Sequence, residues 1–290
     1  MAKSFAGWLL FILLSIIWGS SFILMKAGMQ ALSAYEVATI RILSAAIVLL
    51  PFAAKALKNV ERNKITYVIL SGFLGSFFPA YLYCLAETRI DSSLAAILNS
   101  LTPLFTIIVG VSFFKFKASI KKIIGVIIGF TGLVLLLFAT KERIYFSDIF
   151  YSLLVVVATI SYALNVNMVS MYLHNTPSLQ IASLAFSFLL IPALIILVTT
   201  GYFSLPIFEA PYLYSAIAAA TLGVMGTAIA SVLFYMLVKK EGTLFSSLVT
   251  YGIPVIAVVW GLIYGESITL AEIGCLAIIL CGVYVVNKSK

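Results

Sequence analysis

Charge is scarce in this chain. Of its 290 residues only 10% are Asp, Glu, Lys or Arg, against roughly 25% in an ordinary soluble domain. Hydrophobic residues make up 63% and the mean hydropathy is +1.18. A water-soluble core of this size cannot bury so much apolar surface, so bilayer must take the place of core. Histidine occurs once, as His174 in an expected loop, and cysteine three times, as Cys84, Cys275 and Cys281, all in apolar runs. Cys275 and Cys281 stand six residues apart and so fall on different helix faces. That excludes a disulfide framework or a metal site by spacing, and no cofactor is expected. No phosphate-binding loop of the G-x-x-x-x-G-K-[ST] kind is present, so ATP is not a direct energy source within this chain. With one His and no acid pair at mid-span, the chain also lacks the groups of a membrane-embedded enzyme. Alternating ten-residue barrel strands are missing as well, which leaves helices as the spanning element.

Apolar runs fill the sequence instead. Ten segments approach the roughly 20 residues needed to cross a bilayer, at about 5–25, 35–54, 66–86, 92–114, 122–140, 147–172, 179–200, 212–237, 243–264 and 270–287. The first is too long for the h-region of a signal peptide and has no small-x-small site after it, so it reads as a retained helix. Basic residues set the orientation. With the N-terminus in the cytoplasm, thirteen Lys and Arg fall inside (Lys3, Lys55, Lys58, Arg62, Lys64, Lys115, Lys117, Lys121, Lys122, Lys239, Lys240, Lys288, Lys290) and four outside (Lys26, Arg89, Lys141, Arg143). An even number of spans, with both termini cytoplasmic, fits this bias. The net charge of +8 is therefore a matter of topology, and nucleic acid is not expected as a partner. The expected partners are membrane lipid and a small-molecule substrate.

An internal repeat is visible. Gly72 and Gly75 recur as Gly223 and Gly226, Pro103 as Pro254 and Gly110 as Gly261, all at an offset of 151 residues. A weaker echo sets "SIIWGSS" from Ser15 against "TISYALN" from Thr159. The expected units are five-helix repeats over 1–143 and 144–290. An odd number of crossings turns the second copy upside down. Inverted repeats are the architecture of secondary transporters, whose site lies near the midplane at the repeat interface.

The stretches "WGSSFILMK", "EVATIRILSAAIVL", "SLAAILNSLTPLFTIIVG" and "SSLVTYGIPVIAVVWGLIYGESITLAEIGCLAIILCGVYVV" resemble the EamA family of the drug/metabolite transporter superfamily. The resemblance runs over nearly the whole chain, and Pro254 through Glu266 to Gly282 is its most specific part. It implies an all-α fold of ten helices in the plasma (inner) membrane, and export or exchange of small organic solutes, amino acids being common substrates in the family. One departure stands out: the family often carries Glu after the fourth helix, where this chain has Lys115.

Several residues are expected at the site. Arg41 lies inside the second span, at a cost of at least roughly 2.5–3.5 kcal/mol, so it should face protein or water. Two roles stay open: attraction of a substrate carboxylate, or a structural one, in which it snorkels outward or pairs with Glu36. Asn99, Asn165 and Asn167 are amides near mid-span depth. Pro103 cannot donate to the carbonyl of Asn99, and Pro254 leaves that of Thr250 free in the same way. Two proline-interrupted helices at matching places point to a binding site, with a packing kink as the alternative. Trp18, Ser20 and Ser21 form a candidate wall in the first span. Tyr83, Tyr162, Tyr251 and Trp260 are placed to stack on an apolar or aromatic substrate. The glycine pairs are read as close-packing sites, and Lys26 and Glu266 as residues of the outer surface. The functional expectation is a secondary transporter that exports small metabolites by alternating access. A proton-coupled drug exporter is the second reading, and a membrane enzyme or a channel is less favoured.

Overall fold

The computed structural model describes residues 4–139, 149–263 and 269–288. Glu266, Lys141 and Arg143 lie outside them, as do the terminal lysines Lys3 and Lys290. The described residues form helices, with no strand among them, and the helices fall into ten passes. These are α1 (Phe5–Gly28), α2 (Ala34–Asn59), α3 (Arg62–Ala86), α4 in two pieces (α4a, Ser92–Asn99; α4b, Thr102–Phe113), α5 (Ile120–Ala139), α6 (Ile149–Tyr172), α7 (Ser178–Thr199), α8 (Tyr212–Glu241), α9 in two pieces (α9a, Thr243–Ser247; α9b, Val249–Ile263) and α10 (Leu270–Lys288). Eight of them are long and apolar enough to cross a membrane.

Local chemistry sets several ends. Ser33 and Glu36 make a capping box at the start of α2: the Ser33 backbone N–H donates to Glu36 Oε2 at 2.7 Å, and the Glu36 N–H donates to Ser33 Oγ at 3.3 Å. Two backbone donors that α2 itself cannot satisfy are thereby paired. Ser4 caps α1 by accepting from the N–H of Gly7.

Helices in lipid gain little from burying apolar surface against one another, so close approach through small residues must hold the bundle together. The pair α5 and α10 shows this. A Cβ on Gly282 would stand 2.4 Å from the backbone nitrogen of Gly129, and one on Gly125 would stand 2.7 Å from the Val286 side chain. The packing has a two-fold logic in which each pass has its counterpart five passes on. α2 packs on α7 and α5 on α10, each pass against its own counterpart. α1 packs on α9 as α6 does on α4, and α1 on α8 as α6 does on α3.

Two irregularities repeat along with the helices. α3 widens into a π-helical turn at Phe73–Phe77 and α8 into another at Val224–Ile229. Each starts directly after the first glycine of a repeated pair and contains the second, and such turns gather at functional sites. α4 and α9 are each interrupted, at Ser100–Leu101 and at Leu248. Pro103 is the second residue after the first interruption, in the first turn of α4b, but Pro254 sits inside the continuous α9b. The two breaks therefore match at an offset of 148 residues rather than 151: Thr102 Oγ1 donates to the Asn99 carbonyl at 2.6 Å, as Thr250 Oγ1 does to that of Ser247 at 2.9 Å.

Candidate functional site

The wide turns and the helix breaks meet at a cleft in the middle of the bundle, which encloses roughly 880 Å³ of atom-free space, part of it open to the surroundings. Both repeats build it. α1 contributes Trp18 and Ser21, and α6 contributes Tyr162 and Asn165, so the two segments of the weak echo line one space. Gly75 and Gly226 come from the π-helical turns, while Asn99, Thr102, Ser247 and Thr250 come from the two helix breaks.

The glycine pairs divide their work. The first of each pair packs: a Cβ on Gly72 would meet Ala185 at 3.3 Å, and one on Gly223 would meet the Arg41 carbonyl at 2.3 Å. The second faces the cleft. A Cβ on Gly75 would reach to 2.3 Å from the Asn165 amide nitrogen, and one on Gly226 to 2.7 Å from Ser21 Oγ. Packing is therefore only half of their role.

Arg41 is the cationic side chain among the described residues that line this space, and no Asp or Glu lines it with Arg41. It is buried, with 9% of its surface exposed, and its Nε donates to Thr227 Oγ1 at 2.6 Å, across the repeat boundary. Glu36 is committed to the capping box, so the expected alternative of an Arg41–Glu36 pair does not form. The guanidinium keeps four further N–H donors in a planar fork suited to a carboxylate. Two neighbours are polar and unsatisfied: Tyr83 Oη and Asn165 Oδ1 are buried without a hydrogen-bond partner. Orphaned polar atoms of this kind carry a desolvation cost that a ligand can relieve. Aromatic rings wall the space. Tyr83 lies 6.2 Å from Tyr162 with 27° between the planes, and Trp18 lies 5.2 Å from Phe234.

Of the residues singled out in the sequence, Trp18, Ser21, Arg41, Tyr83, Asn99, Tyr162 and Asn165 line this one space. Ser20, Pro103, Tyr251 and Pro254 are not among the lining residues. Tyr251 is fully buried and donates its hydroxyl to the Val126 carbonyl at 2.8 Å, which spends it on packing α9 against α5. The carbonyls that the prolines leave free are also taken: Thr102 Oγ1 donates to that of Asn99, and Ser100 Oγ to that of Thr250 at 3.1 Å. Asn167 is structural, since its amide donates to the Thr106 and Ala163 carbonyls. The side chain of Trp260 lies outside the described residues. Thr227, Phe234 and Tyr235 were missed by sequence reasoning; the repeated glycines, which set the wide turn of α8, were the available signal. Among the described residues no cluster of His, Cys, Asp or Glu could hold a metal ion.

The sequence pattern of the EamA-like transporter family matches residues 5–138 and again residues 149–288. The chain belongs to the EamA-like transporter family. This EamA protein is therefore an integral, multi-pass membrane protein of transporter type with two five-helix repeats. It is similar to an uncharacterized transporter of Archaeoglobus fulgidus, with 24% identity over 98% of this chain and 99% of the relative. An uncharacterized transporter of Clostridium kluyveri shares 27% identity over 92% of this chain and 87% of its own. A solved crystal structure superposes with a TM-score of 0.73 over 98% of this chain and 96% of its own; at 16% identity this is a likeness of fold alone.

Proposed function

We propose that this protein is a secondary transporter that exports small organic metabolites, amino acids among them, by alternating access. The solute binds in the central cleft, and the halves 1–143 and 144–290 rock about it. The bias of Lys and Arg supports a plasma (inner) membrane location with both termini cytoplasmic. One observation carries the reading: Arg41 sits in a cleft built by both repeats, engaged at Nε alone and with no lining acid to neutralise it. A solute carboxylate supplies that missing charge, and the unsatisfied Asn165 Oδ1 and Tyr83 Oη supply further polar contacts. The aromatic walls suit an apolar body on the same solute.

The test is solute exchange in proteoliposomes with a panel of amino acids and other carboxylates, each beside its neutral amide. Carboxylates should exchange and their amides should not, and Arg41→Gln should abolish that preference while leaving a folded protein. If amides exchange as fast as acids, the carboxylate reading is wrong. A proton-coupled drug exporter is the second reading, favoured by the aromatic walls alone. Preferential exchange of lipophilic cations would select it.

A further inference from the structure

Two acids are buried among the described residues, Glu36 and Glu87. Glu36 is used up in capping α2. Glu87 has no such task. It follows the last residue of α3, one turn beyond Tyr83 and on the same helix face. It is 7% exposed; its Oε2 accepts from Ser92 Oγ at 3.2 Å and its Oε1 is buried with no partner. A helix C-terminus is also the wrong end for a negative charge.

The groups around Glu87 come from four elements. Tyr83 and Cys84 share α3 with it, Ser92 opens α4a, Lys26 ends α1 and Arg41 reaches it electrostatically from α2. Lys26 is half-exposed and lies 3.9 Å from Asp91, so solvent and Asp91 both weaken its field. Arg41 is buried, and its charge is the one that changes when a solute binds.

We propose that Glu87 is a proton-binding site linked to anion binding at Arg41, so that a carboxylate and a proton occupy the protein together. The proposal rests on the transport reading of the cleft. With the cleft empty, the Arg41 charge favours ionised Glu87. A carboxylate on Arg41 cancels that influence, and the proton affinity of Glu87 rises. By reciprocity a protonated Glu87 strengthens carboxylate binding by the same factor. Burial already holds this carboxyl up at about 8, so a modest change in field moves its occupancy near neutral pH. A metabolic acid leaving down its own gradient would then take a proton with it, and no net charge would cross.

The experiment is an infrared titration of the full chain in dodecyl maltoside, with Glu87→Gln subtracted to isolate the protonated carboxyl of Glu87. The expected midpoint is about 8. Arg41→Gln should raise it, because a favourable charge is removed, whereas Arg41→Lys should leave it in place. Phenylacetate, as a carboxylate probe, should raise the wild-type midpoint and leave that of Arg41→Gln unmoved. A midpoint in the ordinary carboxylate range, or one identical in wild type and Arg41→Gln, overturns the proposal. Should Arg41→Gln fail to fold, phenylacetate that binds by calorimetry without moving the wild-type midpoint overturns it equally. If phenylacetate does not bind but Arg41→Gln moves the midpoint, the proton site stands and the carboxylate reading of the cleft falls.

Discussion

The indole Nε1–H of Trp18 donates to the carbonyl of Gly226 at 3.0 Å, joining the first pass of one repeat to the wide turn of the other. The other repeat shows the same arrangement with different chemistry: the Asn165 amide lies against Gly75 in the wide turn of α3. A wide turn, a glycine and a polar side chain from the other repeat's first pass thus make up each side of the cleft.

Adding one methyl group at either glycine should narrow the cleft and spare the fold. At Gly75 the new carbon meets the Asn165 amide, and at Gly226 it meets Ser21 Oγ; both are side-chain ends that can turn away. In Gly75→Ala and in Gly226→Ala, initial exchange rates in proteoliposomes should fall about tenfold, the equivalent of about 1.4 kcal/mol. Thermal unfolding should show both proteins folded. Wild-type rates in both variants would remove the two turns from the transport path.

Much of this site was legible in the chain, in patches. The ten passes follow from apolar length, and their ends shift by a few residues: α2 continues through Pro51 and runs to Asn59 rather than 54, because Lys55, Ala56, Leu57 and Lys58 are good helix formers. Breaker residues announced the repeat, and the glycines among them marked the wide turns. The prolines misled, because a proline shows which carbonyl is freed but not what will take it up. Ser100, the partner of the Thr250 carbonyl, is 150 residues away in sequence. Thr227, the partner of Arg41, is 186 away. The fate of Glu36, by contrast, could be read locally, since Ser33-x-x-Glu36 is a capping-box pattern. Glu87 stood in plain view at the end of the third apolar run, but only packing reveals that it is buried.

Ser100 should matter to stability because of Pro254. The proline withholds an N–H from the Thr250 carbonyl, and the Ser100 hydroxyl, shared with the Ala96 carbonyl, serves it instead. Ser100→Ala should cost about 0.6 kcal/mol, the usual worth of such bonds between membrane helices, and at most roughly 1.7 kcal/mol. In a Pro254→Ala background the restored N–H can serve the carbonyl, so the same change should cost less. A double-mutant cycle read by denaturation in detergent measures the difference. Equal losses in both backgrounds would mean that the hydroxyl does not stand in for the missing donor.

Two glycines of α10 should answer oppositely to alanine. At Gly282 a Cβ would meet the backbone of Gly129 at 2.4 and 2.6 Å, and backbone cannot turn aside. The helices must part, at a cost of about 1–3 kcal/mol. At Gly274 a Cβ meets nothing within 4 Å, and the better helix propensity of alanine should stabilise by up to about 1 kcal/mol. Unfolding temperatures of Gly282→Ala and Gly274→Ala in the same detergent should therefore move in opposite directions. A matching fall in both would deny that α5 and α10 touch through Gly129 and Gly282.

The burial of Glu87 also predicts how stability should vary with pH. Its folded-state value, held up at about 8 by burial, lies above the 4.5 of a free side chain. Between those values the folded protein holds a proton that the unfolded chain has released. Stability must then fall as pH rises through the window, and the loss is complete once pH exceeds the folded-state value. The total is on the order of a few kcal/mol at most, since each unit of displacement is worth about 1.4 kcal/mol. Denaturation of the wild type from pH 5 to 9 should show this decline. Glu87→Gln, which is neutral throughout, should lose that component of the slope and be the more stable of the two at pH 9. The two proteins differ at this one side chain, so the comparison isolates it. Parallel curves for the two proteins would show that Glu87 is ionised in the folded state across the whole range.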